Sequence, residues 1–189
     1  MTPSQLQRLR DTFIRRFRRI PQNTTPGDAA FLRFLIESSQ ARRGLEIGTA
    51  TGYGAIWMGF GFEHNGGRLT AVEIDPDMVE IARRNIVKTR LEETVAVVEG
   101  DALEVIPNLK GRFDFVFIDA IKSDYLKYFK AVEPKLRPGA VIVADNIVQF
   151  AVEVRPFLRA VSQSPNYHTA IVRASEEKHD GMAVSYKLK

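Results

Sequence analysis

The feature that most restricts this chain is its alternation of short apolar runs with helical stretches of about ten residues. Gly44–Gly48, Arg68–Ile74, Val95–Glu99, Phe113–Asp119 and Ala140–Asp145 read as strands. Gly52–Phe60, Asp77–Thr89, Ala102–Leu109, Ser123–Lys135 and Val152–Ser162 read as helices. Such alternation is the pattern of βαβ units, whose parallel strands are covered on both faces. Tyr167–Ala174 and Gly181–Leu188 follow with no helix between them and are predicted to pair antiparallel. Upstream, Leu6, Leu9, Phe13, Phe17 and Ile20 fall at helical spacing over residues 4–19, with Ile20-Pro21 as the stop. A second helix starts near Pro26 and turns Phe31, Leu32, Leu35 and Ile36 inward. The expected class is α/β.

A chain of 189 residues suggests one domain, divided into a basic amphipathic helix over 1–22 and a core over 23–189. The absence of cysteine excludes disulfides, thiolate catalysis and Cys-ligated zinc or iron–sulfur sites. His64, His168 and His179 lie far apart, which argues against a His-rich metal site. No apolar run approaches the ~18 residues of a membrane span, and the N-terminus lacks a signal-type apolar core. The sequence reads as that of a soluble, cytoplasmic protein with no membrane partner.

Charge is concentrated at one end. Residues 1–43 hold nine arginines against Asp11, Asp28 and Glu37, a balance of +6, whereas the whole chain carries +4. A solvated helix face accounts for this, and so does attraction to phosphates.

Leu45-Glu46-Ile47-Gly48-Thr49-Ala50-Thr51-Gly52-Tyr53-Gly54 stands where the first parallel strand turns into a helix. Glycine there lets backbone approach a ligand, and the helix start offers free N–H groups. The spacing is G-x-x-x-G-x-G, not the dinucleotide G-x-G-x-x-G, and no Lys-Ser/Thr follows to make a phosphate loop. Glu73 ends the second strand, 25 residues after Gly48, where a carboxylate accepts ribose hydroxyls. Asp101, in Glu99-Gly100-Asp101-Ala102, ends the third and reaches toward an adenine amino group. A pocket that reads ribose and adenine without a diphosphate cradle suits S-adenosylmethionine better than NAD. The plainer alternative is that both carboxylates cap helices.

The segment Leu45–Gly54, with Ala71-Val72-Glu73-Ile74-Asp75 and Gly100-Asp101-Ala102, resembles the class I S-adenosylmethionine-dependent methyltransferases. More narrowly, it resembles the cation-dependent O-methyltransferases related to catechol and caffeoyl-CoA O-methyltransferase. The resemblance spans about Thr24 to Lys187. It implies a Rossmann-like, seven-stranded, mostly parallel sheet of order 3-2-1-4-5-7-6 with the last strand antiparallel. It also implies cofactor contacts from Thr24 and Glu46 on the methionine side, from Gly48, Thr49, Tyr53 and the Gly54 N–H at the turn, from Glu73 at the ribose, from Asp101-Ala102 at the adenine, and from Asp119. Two departures from the pattern are Gly54, where relatives carry serine, and Ile121, where they often carry Trp or Asp. Ala183 stands where catechol-specific members place an acid.

Phe117-Ile118-Asp119-Ala120-Ile121-Lys122 closes one strand and Val143-Ala144-Asp145-Asn146 the next. If these strands are neighbours, Asp119, Asp145 and Asn146 emerge at one carboxyl edge, where sites of such folds open. Three oxygen donors, two of them anionic, suit a hard cation. The family places Mg2+ or a similar ion (Mn2+ or Ca2+) on this set and assigns the equivalent of Lys122 the role of general base. The plainer alternative for Lys122 is a surface pair with Asp124. Trp57 is expected in the core, and Tyr125 either lines the acceptor pocket or packs. The expected activity is metal-dependent O-methylation of a vicinal dihydroxy small molecule, in a homodimer. The alternatives are methylation of a tRNA hydroxyuridine gripped by the basic arm and a non-catalytic S-adenosylmethionine-binding protein.

Overall fold

In the computed structural model, which describes residues Met1–Lys189, strands and helices alternate as the apolar runs predict. The order is α1 (Pro3–Arg16), α2 (Pro26–Ser39), β1 (Arg43–Ile47), α3 (Tyr53–His64), β2 (Arg68–Glu73), α4 (Pro76–Lys88), β3 (Val95–Glu99), α5 (Ala102–Asn108) and β4 (Phe113–Ile118). Then follow a 3-10 turn (Lys122–Asp124), α6 (Tyr125–Val132), a second 3-10 turn (Glu133–Lys135), β5 (Leu136–Ala144), α7 (Arg155–Ser162), β6 (Tyr167–Val172) and β7 (Met182–Lys187). The sheet runs β3-β2-β1-β4-β5-β7-β6. Pairs among the first five strands are parallel, and β7 runs antiparallel to both β5 and β6. The expected order and the single reversed strand are both present.

Helix starts follow local chemistry. Thr2 and Gln5 form a reciprocal capping box ahead of α1, with Pro3 in its first turn. Thr25 caps α2 ahead of Pro26, and Asp75 caps α4 ahead of Pro76. The central strand β4 is almost wholly apolar because each face meets its own core. Val116 and Ile118 pack with Leu45, Ile142, Ile106 and Phe129 on the side of α5, α6 and α7. Phe115 and Phe117 pack with Leu32, Ile36, Met58 and Val143 on the side of α2 and α3. The alternation of β4 side chains between two clusters is the period-2 signature of a strand covered on both sides. No helix is long and apolar enough to cross a membrane.

Several boundaries differ from expectation: α3 runs on to His64 and does not end at Phe60, and the helix expected over Ser123–Lys135 is α-helical only over Tyr125–Val132. The first helix ends at Arg16, not at Ile20. Phe17 is its C-cap in extended conformation, and its ring turns onto Phe13 and Tyr53, with centroids 5.6 and 5.0 Å away. β5 begins at Leu136, ahead of Pro138-Gly139, because Leu136 already pairs with Phe113 before a register shift. The stretch expected to open a helix at Val152 is turn, and α7 starts at Arg155.

α1 packs against its own chain. The Arg10 guanidinium is buried, donating to the carbonyls of Thr89 and Arg90 and pairing both nitrogens with Glu63 at 2.6 and 2.9 Å. Such a fork saturates its donors in a way lysine cannot. Arg8, Arg15, Arg16 and Arg18 remain exposed.

Candidate active site

The parallel strands β1, β2, β4 and β5 all deliver their carboxyl ends to one edge, and a cleft of about 750 Å³ opens there. One end of it holds Gly48 and Glu73; the other holds Asp119, Lys122, Asp145 and Asn146. Arg19 to Asn23, in the connection between α1 and α2, contribute a wall.

Glu73 fixes the turn after β1. Its Oε2 accepts from the N–H groups of Thr49 and Ala50 at 3.1 and 2.8 Å, and its Oε1 from those of Ile74 and Asp75 at 2.9 and 3.1 Å. Four amides on one carboxylate lock the crossing of β1 and β2 and leave a negative charge at the cleft wall. Gly48 has φ 86°, and a Cβ there would collide with the Asp119 carbonyl oxygen. The glycine is therefore what lets the ends of β1 and β4 approach each other.

Beside this turn the protein buries polar atoms that it does not pair well. Asn23 Nδ2 has no partner within the chain, and Glu46 Oε2 and Thr49 Oγ1 have none but each other, without well-formed hydrogen-bond geometry. Buried polar groups left this poorly satisfied are costly and suit a polar ligand. Burial pushes the Glu46 carboxyl up to about 8; the Thr49 hydroxyl pulls against this, and the charges of Asp119 and Glu73 add to it. A Cβ at Gly54 would stand 2.9 Å from both Glu46 Oε1 and Thr24 Oγ1, so Gly54, Glu46 and Thr24 meet at one point. Tyr53 is buried between Phe17 and Trp57 under the Arg19 guanidinium. Trp57 packs between Tyr53 and Phe60. Asp101 caps α5 by accepting from the Leu103 N–H at 2.8 Å. Of the expected cofactor contacts, Gly48, Glu73 and Asp119 line the cleft, whereas Thr24, Glu46, Thr49, Tyr53, Gly54, Asp101 and Ala102 do not.

At the other end, two lysines and the carboxylates form a chain of short contacts. Lys122 Nζ lies 2.6 Å from Asp119 Oδ1 and donates to the Tyr125 hydroxyl at 2.9 Å; that hydroxyl donates to the Asp145 carbonyl at 3.1 Å. Burial, aided by Asp119, Asp145 and Asp180, pushes the Tyr125 phenol well above its ordinary value, so it stays neutral. The pairing of Lys122 with Asp124 is not formed; Asp124 pairs with Lys127. Asp145 is buried, and burial together with Asp119 pushes its carboxyl up to about 6, while Lys178 pulls it back.

Asn146 takes a left-handed backbone, φ 57°, and its Nδ2 donates to Asp180 Oδ2 at 3.0 Å. Asp180 also accepts from the N–H groups of Val148, Gln149 and Gly181, and these bonds outweigh its burial and hold its carboxyl below the usual range. With the amide nitrogen committed, the Asn146 carbonyl oxygen is the end left for a ligand. The sequence reading did not find Lys178, which pairs with Asp145 and Asp28, nor the use of Asp180 to orient Asn146. Lys178 lies 33 residues from Asp145 in a loop without periodicity, so no local pattern announces it.

The comparisons agree with this architecture. The M. tuberculosis catechol O-methyltransferase is 36% identical over 82% of this chain and 76% of its own length. A catechol O-methyltransferase from Niastella koreensis is 38% identical over 67% of this chain, which spans 59% of that relative's length. Among solved structures, an O-methyltransferase from Bacillus cereus in complex with SAH superposes with a TM-score of 0.82 at 29% identity, covering 99% of this chain and 92% of that one. One from Streptomyces achromogenes in complex with SAM gives 0.84 at 26% identity, covering 100% and 92%. The O-methyltransferase family profile matches residues 2–162. Most of the sequence is thus accounted for by one profile, and the chain belongs to the O-methyltransferase family.

Proposed function

We propose that the protein transfers the methyl group of S-adenosylmethionine to one oxygen of a vicinal dihydroxy small molecule, with a divalent cation at the carboxyl edge. The observation that carries this reading is that one cleft joins the Gly48–Glu73 end to the Asp119–Lys122–Asp145–Asn146 end. The relatives named as catechol O-methyltransferases and the neighbours holding SAM or SAH support it.

The buried polar group of Asn23, Glu46 and Thr49 suits the polar amino-acid end of the methyl donor, and Glu73, on the cleft wall, would face its ribose. Asp101 and Ala102, where β3 meets α5, would flank the adenine.

The donor set also fits a hard cation. Asp119, Asp145 and the Asn146 carbonyl offer three oxygens. Lys122 pairs with Asp119 and Lys178 with Asp28 and Asp145, while Asp180 is held by Asn146 and by backbone N–H groups. A divalent cation such as Mg2+, when bound, supplies the positive charge that gathers two neighbouring hydroxyl oxygens and eases loss of a proton. Lys122 Nζ, beside Asp119 Oδ1 and the Tyr125 hydroxyl, is the group placed to receive that proton. Tyr125 holds the Lys122 nitrogen in place. The acceptor oxygen then bonds to the sulfonium methyl while the carbon–sulfur electron pair leaves with sulfur. Because the donor is already activated, holding oxygen, carbon and sulfur in line supplies much of the remaining rate. Ile121 and Phe150 line the cleft with apolar surface that suits an aromatic ring.

The exposed Arg8, Arg15, Arg16 and Arg18 favour a second reading, in which the acceptor is a hydroxylated tRNA base. The test is incubation with labelled S-adenosylmethionine and Mg2+ against a panel of diphenols and bulk tRNA. Label in a diphenol ether is the expected result. Label only in tRNA selects the second reading, and label in neither contradicts both.

A further inference from the structure

The Asp145 carboxylate, a candidate metal ligand, already has a cation. Lys178, in the loop between β6 and β7, places its Nζ 2.7 Å from Asp145 Oδ1, 2.7 Å from Asp145 Oδ2 and 2.7 Å from Asp28 Oδ2. An ammonium has three N–H bonds, and these three contacts use them all. The side chains of Asp28 and Asp145 are 1% and 3% exposed and that of Lys178 is 20% exposed. Both carboxylates are thus almost fully buried, with Lys178 as their shared cation. Lys122 is placed differently: it contacts Asp119 through Oδ1 alone, so the second Asp119 oxygen stays available while that pair persists.

A divalent cation on Asp145 needs the oxygens that Lys178 holds, and two cations on one carboxylate repel strongly in a buried site. We propose that Lys178 is a built-in counter-cation that competes with the divalent ion for Asp145, so that metal loading requires its ammonium to withdraw. This rests on the metal reading above. Asp28 makes the exchange feasible, since it gives Lys178 a second anchor that the metal does not claim. Asp28 also accepts from the Thr25 hydroxyl at 2.9 Å, which fixes it at the start of α2. Withdrawal onto Asp28 alone leaves neither that carboxylate nor the ammonium unpaired. Lys178 thereby sets the affinity for the ion and links metal loading to the loop that carries Glu177, which is tied to Arg19 at 2.8 Å on the cleft wall.

The test is titration of the full chain with Mn2+, counting free ion by its electron paramagnetic resonance signal, for wild type, Lys178→Met and the double variant Asp28→Asn with Lys178→Met. The double variant removes one buried anion with one cation, so net charge is unchanged and no lone carboxylate is buried at α2. Thermal melting confirms that each chain is folded. The expected result is Mn2+ binding at least about tenfold tighter in the double variant than in wild type. Equal or weaker binding overturns the proposal. If wild type binds Mn2+, loses it on Asp145→Ala, and the double variant shows no tightening, the metal reading stands and the competition falls. If no variant binds Mn2+ at millimolar concentration, both fall together.

Discussion

The hydroxyl of Tyr125 donates to the backbone carbonyl of Asp145 at 3.1 Å, which ties the helix after β4 to the end of β5. The same oxygen accepts from Lys122 at 2.9 Å, so a buried phenol aligns the proposed base with the neighbouring strand. Tyr125→Phe keeps the ring and its edge contact with Phe157 but removes both bonds. The expected outcome is a loss of about 1–2 kcal/mol in stability and a fall of about tenfold or more in kcat, with little change in KM for the methyl donor. Denaturant melts and steady-state kinetics check this; unchanged kcat removes Tyr125 from the positioning of Lys122.

In the proposed mechanism Lys122 carries the proton step. Lys122→Met keeps an apolar stem of similar length and deletes the amine, whose nitrogen lies 5.2 and 5.9 Å from the Tyr125 and Phe150 ring centroids. General-base loss of this kind costs about 10²- to 10⁴-fold in turnover. Calorimetric binding of S-adenosylhomocysteine is expected to stay within about twofold of wild type, since Glu73 and the buried polar cluster are untouched.

Glu46 makes folding sensitive to pH. Its carboxyl sits at about 8 in the folded chain against an ordinary 4.5. Between those values the folded chain keeps the proton and the unfolded chain has lost it. The folded state thus binds more protons, and raising pH weakens folding by up to about 1.4 kcal/mol per unit until about pH 8. Glu46→Gln lacks this slope. Chemical melts of the ligand-free protein at several pH values are expected to show wild type losing ground to Glu46→Gln as pH rises from 5 to 8. A constant difference across that range contradicts the assignment.

Gly48→Ala tests the close approach of β1 and β4. The positive φ costs about 1–2 kcal/mol for any other residue, and the new Cβ meets backbone that cannot swing away. The expected loss exceeds about 2 kcal/mol, and turnover falls with it because Asp119 is the residue displaced. A melting temperature equal to wild type argues that the turn relaxes freely.

What the sequence disclosed followed the range of the forces involved. Thr25-Pro26 and Asp75-Pro76 announce helix starts because capping acts over three residues. The Asp119–Lys122 contact spans only three residues of chain. β4 could be recognised because two cores make its apolar run continuous. The end of α1 was hidden because Phe17, Arg18 and Arg19 continue the pattern, while Phe17 is drawn onto Tyr53 by tertiary packing. β5 starts four residues ahead of the expected Ala140 because Leu136 finds Phe113 across the sheet. The pairing of Lys178 with Asp28 and Asp145 joins three segments that only the finished fold brings together.

The most direct measurement is methyl transfer to a diphenol by wild type and Asp145→Ala, each in EDTA and in excess Mg2+. The account predicts turnover by wild type in Mg2+, its loss in EDTA with recovery when the ion is restored, and none by Asp145→Ala under either condition. Full turnover of either protein in EDTA contradicts a catalytic role for a metal at this edge.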